Sequence, residues 1–360
     1  MSVLDTAAGT TEQAVEEAMS NENHMDVTCP NCGRQGMSLI YEVTDVPVHS
    51  VLLMPTHEKA ITYPRGDIRL GYCGHCGFVG NMAFQPEVHE YSEEYESTQA
   101  FSPTFNDFHR SVAQRLIDRY DLRGKSVLEI GCGQGEFLIL LRQLGDIEGI
   151  GFDPAYNGRA LGSDDPKLTF VADFYSEKYT NYSADLICCK MTLEHISNTG
   201  DFMRTVRRAI GDRLDIAVFF QIPNGAYVLH DLAFWDIYYE HCTYFTPASL
   251  RYLFEATGFE VLDVDTQYDD QYLTIECRPA ALDHSVDRAT HAALMEETQR
   301  DIDFFLDNVM VKRGYWRKKL DDAQAAGHRV VIWGSGSKGV AFLTTLKVSD
   351  EVGYAVDINP

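Results

Sequence analysis

The sequence predicts an α/β fold in which a central core lies between a cysteine-rich module and a second, smaller α/β part. Strand-like and helix-like segments alternate over residues 86–280. A glycine-rich turn at Gly131–Gly135 separates the first strand of this region from the helix that follows. A further strand, glycine-rich turn and helix begin at Val330. Alternation of this kind is typical of α/β proteins.

The chain divides into four parts, because 360 residues are too many for one ordinary domain. Residues 1–25 have little hydrophobic pattern, and we expect a disordered acidic leader. Residues 26–85 form the cysteine module and residues 86–280 the core. Residues 281–360 begin with a long helix, roughly Ser285–Ala326, and end with the second α/β part.

The charge of the chain argues against a nucleic-acid partner. The net charge is −24, with 54 acidic and 30 basic residues, whereas nucleic-acid binders usually present a basic face to phosphate. The acidity is more typical of a soluble surface or a salt-tolerant host. No apolar run approaches the roughly 18 residues of a membrane span, and no Lys or Arg precedes Arg34. We therefore expect a cytoplasmic protein, and the sequence does not indicate its oligomeric state.

Two pairs of cysteines predict a zinc site in the N-terminal module. Each pair has the form C-x-x-C-G, and the four thiolates match the tetrahedral set that Zn²⁺ prefers. Four protein ligands leave no position open for water, so the zinc is structural. His75 lies within the second pair, and we expect it to be a bystander; a redox pair is the alternative. The predicted ligands are Cys29, Cys32, Cys73 and Cys76.

The glycine-rich turn predicts a cofactor site. Ser126–Ile130 is a short apolar strand, the turn interrupts it, and Glu136–Leu144 has the pattern of a helix. Such a turn brings backbone amides close to a ligand, which in a dinucleotide-binding fold is a pyrophosphate. The next strand, Ile147–Phe152, ends at Asp153. An acidic residue at this place is positioned to accept both hydroxyls of a ribose.

The E-x-G-x-G-x-G spacing from Glu129 resembles motif I of class I methyltransferases, where the turn contacts the methionyl part of S-adenosylmethionine. A third strand, Leu168–Val171, leads to an Asp-Phe pair that resembles the adenine contact of the family. The fourth strand, Ala184–Cys189, leads to the segment Lys190–Ile196. The order of these elements implies S-adenosylmethionine as cofactor. The assigned cofactor-binding residues are Glu129, Gly131, Cys132, Gly133, Gly135, Asp153, Asp173, Phe174 and Lys190.

Three further segments resemble the zinc-containing sugar C-methyltransferases, which act on nucleotide-linked 4-keto-deoxysugars. The first is Tyr91–Tyr95 followed by Ser102–His109. The second, Tyr238–Thr246, resembles the family motif E-H-x-x-Y-F-[ST], and the third, Val331–Gly339, its G-x-G-x-K-G loop. The resemblance implies a class I Rossmann-like methyltransferase core, with an N-terminal zinc module and a C-terminal Rossmann-like part. It also implies a nucleotide-sugar substrate.

Carbon methylation next to a ketone explains why a histidine stands in the second segment. A base whose pKa is near neutrality suits removal of the C–H proton, and the resulting enolate oxygen needs a donor. L-E-H-I also recurs in class I methyltransferases with unrelated substrates, and the tyrosines could instead pack a linker or the core. The catalytic candidates are His241 as base and Glu240, which would hold its ring or polarise a substrate hydroxyl. The candidate donors to the enolate oxygen are Tyr238, Tyr239, Tyr95 and His195.

The C-terminal glycine-rich loop has the spacing of a dinucleotide fingerprint, Gly334-x-Gly336-x-x-Gly339 with Asp357 closing the next strand. Only two strands precede the end at Pro360, which is too little for an independent NAD domain. In the family that it resembles, this part holds no NAD and continues further. We therefore expect a chain that is shortened at this end, and Lys338 is a candidate for contact with a substrate phosphate.

Three alternative functions share parts of this pattern. An O- or N-methyltransferase of another small metabolite would have the same cofactor site and a different acceptor pocket. An RNA methyltransferase could also carry an N-terminal zinc module, but the charge of −24 argues against it. A non-enzymatic scaffold is disfavoured by the intact glycine-rich turn and by Asp153 and Asp173.

Overall fold

The computed structural model describes residues 24–52, 54–88, 102–158, 160, 162–281 and 284–357. In these ranges the strands are β1 (His24–Thr28), β2 (Gln35–Pro47), β3 (Arg65–Tyr72), β4 (Val79–Asn81), β5 (Ser126–Ile130), β6 (Glu148–Phe152), β7 (Leu168–Val171), β8 (Leu186–Lys190), β9 (Ala217–Pro223), β10 (Thr243–Tyr244), β11 (Phe259–Gln267), β12 (Tyr272–Pro279), β13 (Val330–Trp333) and β14 (Val352–Val356). The helices in the same ranges are α1 (His57–Ile61), α2 (Pro103–Arg119), α3 (Glu136–Gly145), α4 (Thr199–Ile210), α5 (Gly225–His230), α6 (Pro247–Ala256), α7 (Arg288–Ala325) and α8 (Ser337–Thr345).

The core is a mixed sheet that, in the described part of the chain, has seven strands in the order β11-β12-β9-β8-β5-β6-β7. Strands β9, β8, β5, β6 and β7 pair in parallel, and β12 runs antiparallel to both of its neighbours. The predicted fold class is thus confirmed: this is the class I Rossmann-like α/β fold. The order of the strands reverses at β5, so the carboxyl ends of β5, β6 and β8 meet beside a crevice.

Helices cover both faces of this sheet and bury its apolar side chains. On one face, α2 and α3 contribute Leu116 and Leu138 to a core with the strand residue Val127. On the other face, α4 and α6 contribute Val206 and Leu253 to a larger core. The buried cysteines of the N-terminal module belong to this larger core. The module is therefore packed directly against the seven-stranded core.

The N-terminal module is built on an antiparallel sheet whose order, among the described strands, is β1-β2-β3-β4-β10. The last of these strands comes from the middle of the chain: Thr243 and Tyr244 of β10 pair with Gly80 and Val79 of β4. The E-H-x-x-Y-F-T segment thus supplies an edge strand to the module. This sheet crosses the boundary that the sequence predicts between the module and the core.

The long helix α7 joins the core to the C-terminal part. Asp287 caps its first turn by accepting from the backbone N–H groups of Ala289 and Thr290. Ile302, Phe305 and other residues of α7 pack in a third core with β2 and β3. No helix in the described ranges, α7 included, is both long and apolar enough to span a membrane.

Most predicted elements are confirmed, with small shifts at their ends. The strands Ser126–Ile130, Leu168–Val171 and Val330–Trp333 occur as predicted, and the fourth core strand ends at Lys190. The aromatic segment from Phe234 to Tyr239 contains the 3₁₀ turn Phe234–Asp236. Phe234 and Tyr239 of this segment are buried in the hydrophobic core.

Glu276 on β12 offers a test of the contact between α2 and the sheet. Its side chain is 3% exposed and forms ion pairs with Arg115 and Arg119. We expect Glu276→Gln to lower the free energy of unfolding by about 2 kcal/mol, because an arginine loses its buried counter-charge. Chemical denaturation measures this change.

The matched control is Glu260→Gln, which breaks the exposed pair with Arg278 on the neighbouring strand. We expect the control to change the free energy of unfolding by about 0.5 kcal/mol or less. Equal effects of the two substitutions would contradict the assignment of Glu276 as a buried ionic anchor.

Candidate active site

A cavity of about 410 Å³ lies at the carboxyl ends of the central strands. Gly131, Asp153 and Met191 directly follow β5, β6 and β8, and all three line it. The predicted cofactor residues that line the cavity are Glu129, Gly131, Cys132, Gly133, Asp153, Phe174 and Lys190. Gly135 and Asp173 are not part of the lining. Most of the sequence-derived set therefore meets at one place.

The backbone of the glycine-rich turn explains the need for glycine. Gly131, Gly133 and Gly135 have φ angles of 70°, 54° and 90°, in the left-handed region. A Cβ on Gly131 would lie 1.9 Å from Thr192 Oγ1 on the loop after β8. A Cβ on Gly135 would lie 2.4 Å from the ring of Phe170. Glycine is thus required at position 135 because Phe170 packs against the start of α3. The preceding residues of the turn line the cavity.

Asp153 is held by the turn itself. Its Oδ2 accepts from the backbone N–H of Gly133 at 2.9 Å, and Oδ1 accepts from Ala155 at 2.8 Å. Burial raises the pKa of this carboxyl, and the two backbone donors oppose that effect. Both oxygens are fixed in direction, and the carboxyl group is presented to the cavity.

The two residues of the Asp-Phe pair after β7, Asp173 and Phe174, have different surroundings. Phe174 lines the cavity, and its side chain is 59% exposed. Asp173 accepts from the hydroxyl of Tyr179 at 2.6 Å and pairs with Lys178. The bond from Lys178, with that from Tyr179, lowers the pKa of Asp173 to about 2. The contact of Asp173 with adenine stays a prediction.

The inner wall of the cavity carries buried charges. Lys190 Nζ donates to Nε2 of His109 at 2.6 Å and lies 4.1 Å above the ring of Phe137. Glu129 is 2% exposed, and its Oε2 has no hydrogen-bond partner among the described residues. Burial raises the pKa of Glu129 and lowers that of Lys190, while their mutual attraction opposes both shifts.

His109 is a residue of this wall that sequence reasoning did not assign. It lines the cavity from α2, one turn after Phe105. Burial, with the nearby Lys190 charge, lowers its pKa to about 3, so the ring is neutral and can accept from Lys190. The i, i+4 spacing of Phe105 and His109 on a helix was the available signal.

A histidine pair lies at the other end of the cavity. His195 lines it, and the ring of His241 lies 5.0 Å from that of His195, centroid to centroid. Nδ1 of His195 donates to the carbonyl of Glu240 at 2.9 Å. His241 is 7% exposed and stands behind His195, outside the lining, with the Tyr238 hydroxyl 3.1 Å from its Nε2.

Glu240 is buried at this end, and its carboxylate faces the N-terminal module. Oε1 accepts from the backbone N–H and from the hydroxyl of Ser50, the latter at 2.7 Å. Nδ1 of His49 lies 3.5 Å from the same oxygen. The structure thus brings the candidates Glu240, His241 and His195 close together, and their catalytic roles stay a prediction.

The two remaining tyrosine candidates lie elsewhere. Tyr239 is 1% exposed and belongs to the core under α7. Its hydroxyl accepts from the backbone N–H of Gln85 at 3.0 Å, and its ring packs on Phe84. Tyr238, and not Tyr239, contacts His241. Tyr95 lies outside the described residues, as does Tyr91.

Glu194 is a second residue that sequence reasoning passed over. Its side chain is 1% exposed, and neither carboxyl oxygen has a hydrogen-bond partner in the described part of the chain. Burial raises its pKa to about 8. Its carboxyl and the rings of His195 and His241 have polar atoms within 4.8 Å of one another. The signal was the acidic residue beside His195 in the L-E-H-I segment.

The four cysteines of the module converge. Sγ atoms of Cys29 and Cys76 lie 3.7 Å apart, as do those of Cys32 and Cys73, and all four lie within 4.8 Å of one another. A tetrahedral ion with Zn–S bonds of ~2.3 Å separates its ligands by about 3.8 Å. His75 lies outside this group, with its ring against Tyr252. The geometry of the thiols thus fits a zinc ion.

Comparisons with known proteins agree with this geometry. Residues 105–264 match the family model of the methyltransferase domain. The chain is 29% identical over 247 residues to the C-methyltransferase NovU of Streptomyces niveus, and the match covers 65% of this chain and 58% of NovU. The chain therefore spans less than two thirds of the length of this relative.

Solved structures align with about half of the chain. One is the 1,6-didemethyltoxoflavin-N1-methyltransferase of Burkholderia thailandensis, with 15% identity, a TM-score of 0.39, and coverage of 50% of this chain and 82% of that one. Another is the magnesium protoporphyrin IX methyltransferase of Synechocystis PCC 6803, with 17% identity, a TM-score of 0.38, and coverage of 49% and 84%. The residues that line the cavity all lie within the range 105–264 that matches the methyltransferase domain.

Proposed function

We propose that this chain transfers a methyl group from S-adenosylmethionine to a carbon next to the ketone of a nucleotide-linked keto-sugar. The observation that carries the proposal is the histidine pair at the end of the cavity, with His195 in the wall and His241 5.0 Å behind it. A carbon acceptor needs a base of this type, because a C–H proton must leave before the carbon can attack. The similarity to a protein named as a C-methyltransferase supports the same chemistry.

The residues of the cavity fit the cofactor. S-adenosylmethionine supplies an electrophilic methyl group on a positively charged sulfur. The amides of the Gly131 turn would hold the methionyl part, Asp153 would accept from the ribose hydroxyls, and Phe174 would contact the adenine. The Oε2 of Glu129, which has no hydrogen-bond partner among the described residues, offers an acceptor for a ligand ammonium group. Lys190 and His109 complete this wall beside it.

At the acceptor end, His241 acts as the base. The C–H proton moves to the imidazole, and the electron pair of that bond forms the enolate of the substrate. The enolate carbon then forms the new C–C bond with the methyl group, and the electron pair of the broken C–S bond stays on sulfur. Glu240 and His195 orient the site, and Tyr95 belongs to the same proposal as a candidate donor. Tyr238, whose hydroxyl lies 3.1 Å from Nε2 of His241, is the candidate donor among the described tyrosines.

The cysteine centre has a structural role in this proposal. Residues 26–85 form a zinc module with the four thiolates as ligands, and residues 86–280 form the catalytic core. Residues 281–360 add the long helix and a Rossmann-like part. Because four cysteines complete a tetrahedral shell, zinc would stabilise the fold and take no part in methyl transfer.

The central test is His241→Ala. We expect methyl transfer to a thymidine diphosphate-linked 4-keto-6-deoxyhexose to fall by roughly a hundredfold or more, since the base is lost. Calorimetry should give an unchanged Kd for S-adenosylmethionine. The control His230→Ala removes a histidine that is 75% exposed and should leave the rate unchanged. Retained turnover in His241→Ala would refute the assignment of the base, and transfer to oxygen, nitrogen or RNA by the wild type would refute the acceptor.

The two adjacent tyrosines give a second test. We expect Tyr238→Phe to reduce kcat by roughly tenfold or more, since it removes a hydrogen bond at the developing enolate. Tyr239→Phe should leave kcat unchanged and lower the free energy of unfolding by about 1 kcal/mol, through the lost bond from Gln85. Rate assays and thermal unfolding distinguish the two. The reverse pattern would assign the donor to Tyr239.

Zinc content tests the cysteine centre. We expect one zinc per chain by elemental analysis of the purified protein, and a large fall in Tm on treatment with a chelator. Cys29→Ser should lose the metal, while Cys277→Ser, at a buried cysteine on β12, should keep it. Protein without zinc that keeps its wild-type Tm would exclude the structural role.

A further inference from the structure

The N-terminal module reaches the candidate active site through the turn that follows β2. Val48 and His49 are buried there, at 0% and 5% exposure. The backbone N–H of Val48 donates to the carbonyl of Pro64 at 3.1 Å, which ties this turn to the start of β3. The turn therefore has a defined position, and Ser50 stands at its end.

Ser50 donates twice to the same carboxylate oxygen. Its backbone N–H and its hydroxyl both bond to Oε1 of Glu240, the hydroxyl at 2.7 Å, and His49 Nδ1 lies 3.5 Å from that atom. Glu240 is 2% exposed. A carboxylate so deeply buried is costly unless donors compensate for the lost water. In the described residues, these donors belong to the module and not to the catalytic core.

The fixed position of Glu240 in turn restricts the orientation of His195. Its carbonyl accepts from Nδ1 of His195 at 2.9 Å, so the neutral ring of His195 keeps Nε2 as its acceptor. The charge of Glu240 also raises the pKa of His195, against the larger lowering by burial. His195 lines the cavity. One residue thus links the module to a histidine in the cavity wall.

The strand pairing on the other side of the motif reinforces this link. β10, which follows His241, pairs with β4 of the module, and the N–H of Asn81 donates to the carbonyl of Cys242 at 2.9 Å. A Cβ on Gly80 would lie 3.0 Å from that carbonyl oxygen, so the two backbones are in close contact. The segment from Glu240 to Tyr244 is bonded to the module at both ends.

We infer that Ser50, together with His49, is a positioning residue of the methyl-transfer site. It fixes the carboxylate of Glu240 and, through the carbonyl of Glu240, the ring of His195 beside the base His241. The cysteine module is therefore part of the acceptor side of the site and not only a stabilising appendage. This inference rests on the proposed function.

The electrostatics give the direction of the effect. Burial alone would raise the pKa of Glu240, but bonds from His49 and Ser50 hold it below its usual value. The titratable groups that influence or border this carboxylate are His49, His195, and the phenols of Tyr238 and Tyr244. Loss of the Ser50 hydroxyl should therefore raise the pKa of Glu240. On acidification, Glu240 would then be protonated at a higher pH than in the wild type. Activity that needs the ionised carboxylate would be lost at that higher pH.

The experiment compares Ser50→Ala with Ser50→Thr, which keeps a hydroxyl. With the thymidine diphosphate-linked 4-keto-6-deoxyhexose as acceptor, we expect Ser50→Ala to lower kcat by roughly tenfold or more, as for a lost bond to a charged group. The acid limb of its pH profile should move to higher pH, and the KM for S-adenosylmethionine should stay within about twofold of the wild type, because the turn is remote from the cofactor wall. Ser50→Thr should restore most of kcat.

The matched control is Thr56→Ala, which removes the capping hydroxyl of the exposed helix α1 in the same module. It should lower Tm slightly and leave kcat and the pH profile unchanged. A wild-type profile in Ser50→Ala, or the same kinetic change in Thr56→Ala, would overturn the inference.

A second readout does not depend on turnover. In protein labelled with ¹⁵N-histidine, the ring nitrogens of His195 should change their chemical shift and titration in Ser50→Ala but not in Thr56→Ala. Unchanged His195 signals would overturn the positioning role, whatever the acceptor is. Failure of the wild type to methylate the keto-sugar, with the His195 change present, would instead count against the proposed function alone.

Discussion

The close approach of the Gly131 turn to Thr192 is the contact on which the site depends. It joins the loops after β5 and β8, the two strands between which the sheet order reverses. With no side chain at Gly131, the backbone of the turn can pass beside the loop after β8, and a side chain there would push the loops apart. The bond from Gly133 to Asp153 then ties in the loop after β6. The cavity has its shape because three loops are locked to one another.

Burial affects the ionisation of two carboxyl groups at that cavity or next to its wall. Glu129 lines the cavity, and Glu194 lies outside the lining next to the wall residue His195. Both are at 2% exposure or less, and each has a carboxyl oxygen that lacks a hydrogen-bond partner in the described residues. Such groups are expensive to keep charged in an apolar interior, and burial raises the pKa of both. Buried polar groups without partners are uncommon in folded proteins. At Glu129, which lines the cavity, a bound polar ligand would supply the missing bond.

The module and the core share a sheet and a buried carboxylate, so the module is not simply appended to the core. One sheet takes its edge strand from the motif that carries His241, and one buried carboxylate in that motif takes its donors from Ser50 and His49. Two sets of bonds from separate parts of the chain therefore meet on a segment of five residues. Three of the thiols share a hydrophobic core with Phe245, which directly follows this segment, so the position of the segment is sensitive to the integrity of the module.

Local sequence determined the strands, the glycine-rich turn, the two cysteine pairs and the E-H motif, because each depends on neighbouring residues: apolar alternation, positive φ or short ligand spacing. It also indicated that Asp153 and Glu129 face one cofactor. Only the tertiary structure decided the rest. It placed His109 beside Lys190, chose Tyr238 over Tyr239 as the neighbour of His241, and brought Ser50 to Glu240 across 190 positions of sequence. These contacts depend on how helices and sheets pack against one another, and no local pattern in the chain encodes that packing.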